Sequence, residues 1–284
     1  MLNTIARELE LKSIEYRRKV LTIIKQANSG HTGGSLSAVD ILNVLYNYIM
    51  NVSPENFQDA NRDRYIQSKG HSVEALYVVL ADKGFYPTAV LDTLNQYQSH
   101  FIGHPTRKVN GVEQNTGALG HGLPIAVGTA LAAKKDGRSY RVFTLLGDGE
   151  LEEGSNWEAS MSAAHYGLDN LVAIVDYNGL QITGPIETVT GITHLNAKFT
   201  AFGYAVREVN GNSIPELMAV FNQLPFEPGK PNMVLAHTTK GKGISFIENQ
   251  VGWHHHVPTD AEFATAMAEL DTAQAAWGAN NGTR

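Results

Sequence analysis

The chain has 284 residues, of which 43% are hydrophobic and 18% are charged, so it can bury a large core in one domain. Its formal net charge of -6 leaves no broadly basic face for nucleic acid, and the absence of cysteine excludes disulfides, thiolate metal sites and cysteine nucleophiles. The first 20 residues are too charged for an export signal, and no unbroken apolar stretch is long enough to span a membrane. We expect a cytoplasmic protein.

The first third of the chain is predicted to be mainly helical, with two glycine-bearing loops that each contain a histidine. Apolar spacing predicts helices over 2–27, 36–48 and 73–82 and a strand over 64–67. The loop with His31 joins the first two helices, and the loop with His71 leads from the strand into the third. Residues 98–122 form a polar, glycine-rich stretch without periodicity, and we expect a functional loop there.

Helices and strands alternate regularly after this loop. In chain order, the predicted elements are 123–134, 140–146, 156–166, 171–176, 195–202, 204–209, 214–224 and 233–237. Such alternation is typical of a parallel sheet with helices on both faces, so we predict an α/β fold in one domain over residues 1–270. A last helix is expected over 260–270. Residues 271–284, rich in alanine, asparagine and glycine, are predicted to form a flexible tail.

Two predicted strands end in motifs that suit a metal ion and a diphosphate. One ends in Gly147-Asp148-Gly149, and the next in a segment that contains Asn178. Parallel strands joined by a crossover helix place their carboxyl ends at one sheet edge, so Asp148 and Asn178 should face the same crevice. Mg²⁺ prefers oxygen ligands, and the flanking glycines let backbone amides approach phosphates closely. Although Gly-Asp-Gly alone is often only a turn, the combination favours a metal-diphosphate site.

At these residues the sequence resembles the thiamine-diphosphate motif, which begins with Gly-Asp-Gly and closes with Asn after the next strand. Further segments resemble the transketolase family in particular, and the resemblance covers nearly the whole chain in order. These segments are Ser29-Gly30-His31, Ser68-Lys69-Gly70-His71, Gly103-His104-Pro105, Thr116-Gly117-Ala118-Leu119-Gly120, Thr239-Lys240-Gly241-Lys242-Gly243 and Trp253-His254. The resemblance implies the diphosphate-binding domain of the thiamine-diphosphate-binding fold.

The resemblance also implies a role for each matching position. Asp148, Asn178 and the Leu180 backbone carbonyl would hold the metal, expected to be Mg²⁺ or, in its place, Ca²⁺ or Mn²⁺. The positions implied around thiamine diphosphate are Lys69, His71, Gly117, Leu119, Asp148, Gly149, Asn178, Ile182, Lys240 and His254. The residues implied in catalysis are His31, His71 and His104, because a neutral imidazole can donate to a substrate oxygen or relay a proton.

Transketolases are typically much longer than this chain, which matches only their first domain. In that family a glutamate of the second, pyrimidine-binding domain activates the cofactor, and no glutamate here matches it. The resemblance therefore implies the N-terminal subunit of a split transketolase, inactive alone. A C-terminal partner subunit would supply the activating glutamate in an α2β2 heterotetramer. The implied reaction is reversible two-carbon ketol transfer between a ketose and an aldose, by default the sugar phosphates of pentose phosphate metabolism.

Several alternatives stay open at this point. The chain could be half of another thiamine-diphosphate enzyme, such as the α subunit of a 2-oxo acid dehydrogenase or part of a deoxyxylulose-phosphate synthase. It could also be a non-catalytic partner that keeps the fold. His121 and His255 stand where family members often have Gln and Gly, which leaves the ketose open. The run 254–256 does not predict zinc, since adjacent residues cannot direct three nitrogens to one tetrahedral ion.

Overall fold

A computed structural model of the chain describes residues 2–281. The helices of this part, α1 to α9, are Leu2–Ala27, Thr32–Val44, Val73–Asp82, Gly122–Lys135, Gly154–His165, Ile186–Val189, Leu195–Ala201, Ile214–Phe221 and Asp260–Asn281. The strands, β1 to β7, are Arg64–Gln67, Val142–Gly147, Leu171–Tyr177, Leu180–Gln181, Gly184–Pro185, Ala205–Asn210 and Asn232–His237. A π-helical turn, Leu45–Ile49, extends α2. None of the helices described is long and apolar enough to cross a membrane.

A five-stranded parallel sheet, ordered β1-β2-β3-β7-β6, forms the centre of the molecule. Alternate residues of β2 belong to different hydrophobic clusters. Phe143 and Leu145 face the cluster formed with α1, α2, α3 and α8, whereas Val142 and Leu146 face the one formed with α4, α5 and α7. Because helices cover both faces, the strands are apolar along nearly their whole length. The predicted α/β fold is confirmed.

The carboxyl ends of β2 and β3 lie side by side, as the sequence predicts. Gly147 and Asp176 are paired in register, so the turns that follow the two strands emerge together. The long loop before α4 is largely irregular, and it packs towards the same edge. Its Thr116 hydroxyl donates to the carbonyl of Gln67 at the end of β1, 2.6 Å away.

The start of α2 differs from its prediction. The helix begins at Thr32, so the glycine pair after it forms the first turn rather than a loop. The carboxylate of Glu74 on α3 accepts hydrogen bonds from the His31 N–H and the Ser35 hydroxyl at 3.2 and 2.7 Å. This contact from α3 caps the helix, which has no side-chain cap of its own, and local sequence does not reveal it.

The last helix is longer than its prediction. It extends to Asn281, so residues 271–281 are helical rather than a frayed tail, and 282–284 lie outside the described residues. The segment is alanine-rich, and alanine has the highest helix propensity. Arg18 of α1 donates to Asp271 at 2.7 Å and to Gln274 at 3.3 Å, which attaches this part of α9 to the domain.

Candidate active site

A cavity of about 410 Å³ opens at the carboxyl edge of the sheet. Nearly all of the predicted site residues line it: His31, Lys69, His71, Gly117, Leu119, Asp148, Gly149, Asn178, Leu180, Ile182, Lys240 and His254. His104 is the one predicted residue that does not. The cavity therefore unites seven separate segments of the sequence at one edge of the parallel sheet.

Asp148 lies at the bottom of the turn after β2 and is 2% exposed. Its carboxylate accepts hydrogen bonds from the backbone amides of Gly149 and Gly179 at 2.8 and 2.5 Å, so it ties the ends of β2 and β3 together. Burial, together with the nearby charge of Asp176, raises its pKa to about 6. A positive ion beside this carboxylate would offset the cost of keeping it ionised.

Asn178 and Leu180 lie beside Asp148 in the turn after β3. The Asn178 amide oxygen accepts from the Leu180 N–H at 3.1 Å, which holds the side chain against its own turn. The Leu180 carbonyl accepts from the Lys240 ammonium at 3.3 Å. No group of three or more His, Asp or Glu side chains within residues 2–281 is arranged to hold a metal ion. The predicted metal ligands are of another kind: the Asp148 carboxylate, the Asn178 amide oxygen and the Leu180 carbonyl. All three are oxygen atoms, which Mg²⁺ prefers as ligands.

A buried ion pair supports this turn from below. The Lys69 ammonium donates to the Asp176 carboxylate, and both side chains are almost inaccessible to solvent. Ser37 and Thr238 also donate to Asp176. Burial opposes ionisation of Asp176, but Lys69 and these donors hold its pKa below the ordinary value. Sequence reasoning missed Asp176, although a lone carboxylate near the end of the apolar strand β3 was a usable signal.

A cluster of histidine rings forms the opposite wall. The His31 ring centroid lies 5.2, 6.1, 5.6 and 4.5 Å from those of His71, His104, His254 and His255. Burial, followed by the neighbouring histidines and lysines, lowers the pKa of His31 to about 4. Burial also lowers the pKa of His71, His104 and His254, in the last case to about 3. These four imidazoles are neutral at pH 7, and the buried His31 Nδ1 has no hydrogen-bond partner among residues 2–281.

Lys240 connects the histidine wall to the turn that contains Asn178 and Leu180. Its ammonium group lies 2.9 Å from His254 Nδ1 as well as contacting the Leu180 carbonyl. Burial and the charge of Lys69 lower its pKa to about 8. Two buried cations, Lys69 and Lys240, therefore line one cavity, an arrangement that suits an anionic ligand such as a diphosphate.

His104 packs against Gly117 and is not part of the cavity lining. A Cβ atom at Gly117 would lie 2.4 Å from the His104 ring, and the Gly117 φ of +131° also disfavours any other residue. The Tyr77 hydroxyl, which donates to the His104 carbonyl at 3.2 Å, holds this loop in place. His121 is exposed, its Nδ1 lies 3.2 Å from the carbonyls of Ala118 and Leu119 in the loop before α4, and it does not line the cavity.

Glu150 is a second buried carboxylate that sequence reasoning missed. It lies in the acidic turn after β2 and accepts hydrogen bonds from the Ser68 hydroxyl and from the amides of Gly120 and Gly147, the latter two at 2.9 and 3.1 Å. It thus joins the loops that contain His71 and Gly117 to the end of β2. Its exposed neighbours gave no sign that this glutamate faces inward.

The profile of the family described as "Transketolase, thiamine diphosphate binding domain" matches residues 10–280. The chain belongs to this family, and its predicted identity as the N-terminal half of a split transketolase is confirmed. It is 46% identical over 262 residues to a subunit of apulose-4-phosphate transketolase from Phocaeicola vulgatus, covering 92% of this chain and 93% of the relative. It is 38% identical over 265 residues to 6-deoxy-6-sulfo-D-fructose transketolase subunit SqwG of Clostridium sp., covering 93% and 96%.

Solved transketolases share the fold. The enzyme from Leishmania mexicana matches with a TM-score of 0.81 at 26% identity, covering 96% of this chain and 46% of that one. The Pichia stipitis enzyme in complex with sedoheptulose 7-phosphate matches with a TM-score of 0.85 at 27% identity, covering 96% and 44%. The chain therefore spans less than half the length of these transketolases, as it spans 36% of Homo sapiens transketolase, to which it is 40% identical over 229 residues.

Proposed function

We propose that this subunit, together with a C-terminal partner subunit, catalyses reversible transfer of a two-carbon ketol unit from a ketose to an aldose. The observation that supports this most is the single cavity in which Asp148 and Asn178 share the lining with three neutral histidines, His31, His71 and His254. A metal-diphosphate site and a set of proton-relaying imidazoles are the two features that such a reaction needs from this subunit. The names of the relatives that are themselves transketolase subunits agree with this reaction.

The residues around the cavity fit thiamine diphosphate with a divalent metal, proposed to be Mg²⁺. Asp148, the Asn178 amide oxygen and the Leu180 carbonyl would hold the metal, and Lys69, Lys240, His71 and His254 would surround the diphosphate. When bound, thiamine diphosphate supplies the electron sink for cleavage of a carbon–carbon bond in the ketose. Leu119 and Ile182, both on the lining, offer apolar contact to its rings.

The histidine wall would handle the substrate oxygens. His31 lines the cavity and is neutral at pH 7. It can therefore orient a hydroxyl or carbonyl oxygen, and His104 on its other side can relay a proton. Both substitutions, His31→Ala and His104→Ala, should lower ketol transfer far more than cofactor affinity.

The proposed donor is a short ketose with an anionic end group. Apulose 4-phosphate comes first, because a relative that is 46% identical over nearly its full length is named for it. A sulfonated ketose comes second on the same reasoning, and xylulose 5-phosphate represents ordinary pentose phosphate metabolism. The proposed assembly is an α2β2 heterotetramer in which the partner supplies the activating glutamate.

The direct test is reconstitution. The purified chain, thiamine diphosphate and Mg²⁺ would be assayed with and without the partner subunit, using these three ketoses as donors and aldose phosphates as acceptors. Activity that appears only in the mixture, and disappears with Asp148→Ala, is the expected result. A stable complex that binds thiamine diphosphate but transfers nothing from any of these donors would instead indicate a non-catalytic partner.

A further inference from the structure

The three adjacent histidines 254–256, here called the histidine run, are held in different ways. His254 Nδ1 lies 2.9 Å from the Lys240 ammonium, and His256 Nε2 lies 3.1 Å from the Glu262 carboxylate. His255 is exposed, and its ring makes no hydrogen bond to any residue in the described part of the chain. Of the three rings, it is the one whose nitrogens are left for a molecule outside the subunit.

The backbone of the run is nevertheless fixed against the first turn of α2. The Thr32 hydroxyl donates to the His256 carbonyl at 2.6 Å. A Cβ atom at Gly33 would lie 2.8 Å from the Trp253 carbonyl oxygen, so the absence of a side chain there permits the close approach. His255 is therefore an exposed side chain on a segment with a defined position.

That position is beside His31. The two ring centroids are 4.5 Å apart with the ring planes at 71°, the shortest distance that His31 makes to another histidine among residues 2–281. His31 lines the cavity, whereas His255 does not, so His255 lies on the outer side of His31. A substrate oxygen bound at His31 would have the His255 imidazole next to it.

We propose that His255 contacts the substrate and helps to select the ketose donor. The inference rests on the proposed ketol transfer and deepens it. A short ketose carries hydroxyl groups along its length, and a neutral imidazole has one nitrogen that donates and one that accepts. His255 offers a hydrogen bond to an oxygen beyond the one that faces His31, and its ring fills space that a residue without a side chain would leave open.

Metal binding does not account for the run. One ring nitrogen of His254 contacts an ammonium group, and one of His256 contacts a carboxylate, so the three rings face different partners. Tetrahedral coordination would need three nitrogens to converge, and the residues described include no such group. Substrate contact is the use of a free imidazole that this geometry favours.

The test compares four versions of the subunit, each reconstituted with its partner: wild type, His255→Ala, His255→Gln and His165→Ala. His165 is a matched control, because it is an exposed histidine at the far end of α5, away from the carboxyl edge of the sheet. The measurements are KM and kcat for apulose 4-phosphate, a sulfonated ketose and xylulose 5-phosphate, and thiamine-diphosphate affinity by calorimetry.

For His255→Ala we expect KM for the best donor to rise about three- to tenfold, which corresponds to the loss of one hydrogen bond. The kcat and the thiamine-diphosphate affinity should stay unchanged. The rise should be smaller for the poorer donors, and His255→Gln should restore part of the affinity. An unchanged KM, an equal rise for every donor, or a loss confined to kcat or to cofactor affinity would each overturn donor selection by His255. If wild type itself transfers nothing, the proposed function fails first; if it is active and His255→Ala equals it, only this inference fails.

Discussion

Replacing Glu74 by glutamine should remove a pH-dependent loss of stability. Glu74 is completely buried on α3, where it caps α2 through the His31 N–H and the Ser35 hydroxyl. Burial raises its pKa from 4.5 to about 7, because those two donors only partly replace water around the charge. Glutamine keeps an acceptor for the same donors, and the Ser35 hydroxyl can in turn accept from its amide group.

The sign follows from proton binding. Between pH 4.5 and about 7 the folded chain keeps a proton on Glu74 that the unfolded chain releases, so the free energy of unfolding falls as pH rises through this window. The shift corresponds to about 3 kcal/mol of stability lost by pH 8 relative to pH 4.5. Glu74→Gln should therefore be close to wild type at pH 5 and more stable than it by about 2–3 kcal/mol at pH 8.

The assay is urea unfolding of the purified chain, without its partner, at several pH values from 5 to 8. Other groups titrate over this range, but they contribute to both proteins, so the difference between variant and wild type isolates Glu74. Glu158→Gln, at an exposed position on α5, serves as the control and should show a difference that does not change with pH. A flat difference for Glu74→Gln as well would refute the argument that burial raises the pKa of this carboxyl.

Three further substitutions test the site and its support. Asp148→Ala should abolish Mg²⁺-dependent binding of thiamine diphosphate, measured by calorimetry, while the circular dichroism spectrum stays unchanged; undiminished affinity would contradict the metal assignment. Gly117→Ala should lower the rate of ketol transfer while changing the free energy of unfolding little, because the new Cβ must displace the His104 ring. Full activity would show that the ring moves without cost. Arg17→Met should lower the free energy of unfolding, measured in urea, by about 3–5 kcal/mol, because it leaves the buried Asp40 carboxylate without its bidentate partner. The double variant Arg17→Met, Asp40→Leu should recover most of that loss.

The sheet and the meeting of the turns after β2 and β3 could be predicted from sequence, because each depends on local pattern plus one topological rule. Apolar runs that alternate with helices define a parallel sheet, and right-handed crossovers then place successive strand ends together. Asp148 and Asn178 meet for this reason alone. The histidine wall required more than pattern: His31, His71 and His254 come from distant loops, and only resemblance to a family connected them.

The missed residues share a different property. Glu74, Glu150 and Asp176 are buried carboxylates whose partners lie far away in sequence, and no local signal distinguishes a buried glutamate from a solvated one. Such a contact also accompanies a wrong boundary, since Glu74 reaches the first turn of α2 from α3 at the place where the helix begins earlier than predicted. Tertiary contacts of this kind, rather than helix or strand propensity, limit what sequence reasoning can locate.

Charge is distributed unevenly over the cavity, and this distribution supports the proposed position of the metal on one side and of the diphosphate on the other. Lys69 has Asp176 as its partner, whereas Lys240 contacts only a neutral imidazole and a carbonyl among the described residues, and burial lowers its pKa to about 8. Asp148 has the opposite shift, with its pKa raised to about 6. A divalent cation beside Asp148 would lower that pKa, and a diphosphate beside Lys240 would raise the other. A magnesium diphosphate would stabilise both the Asp148 carboxylate and the Lys240 ammonium, whereas the metal or the anion alone would stabilise only one of them.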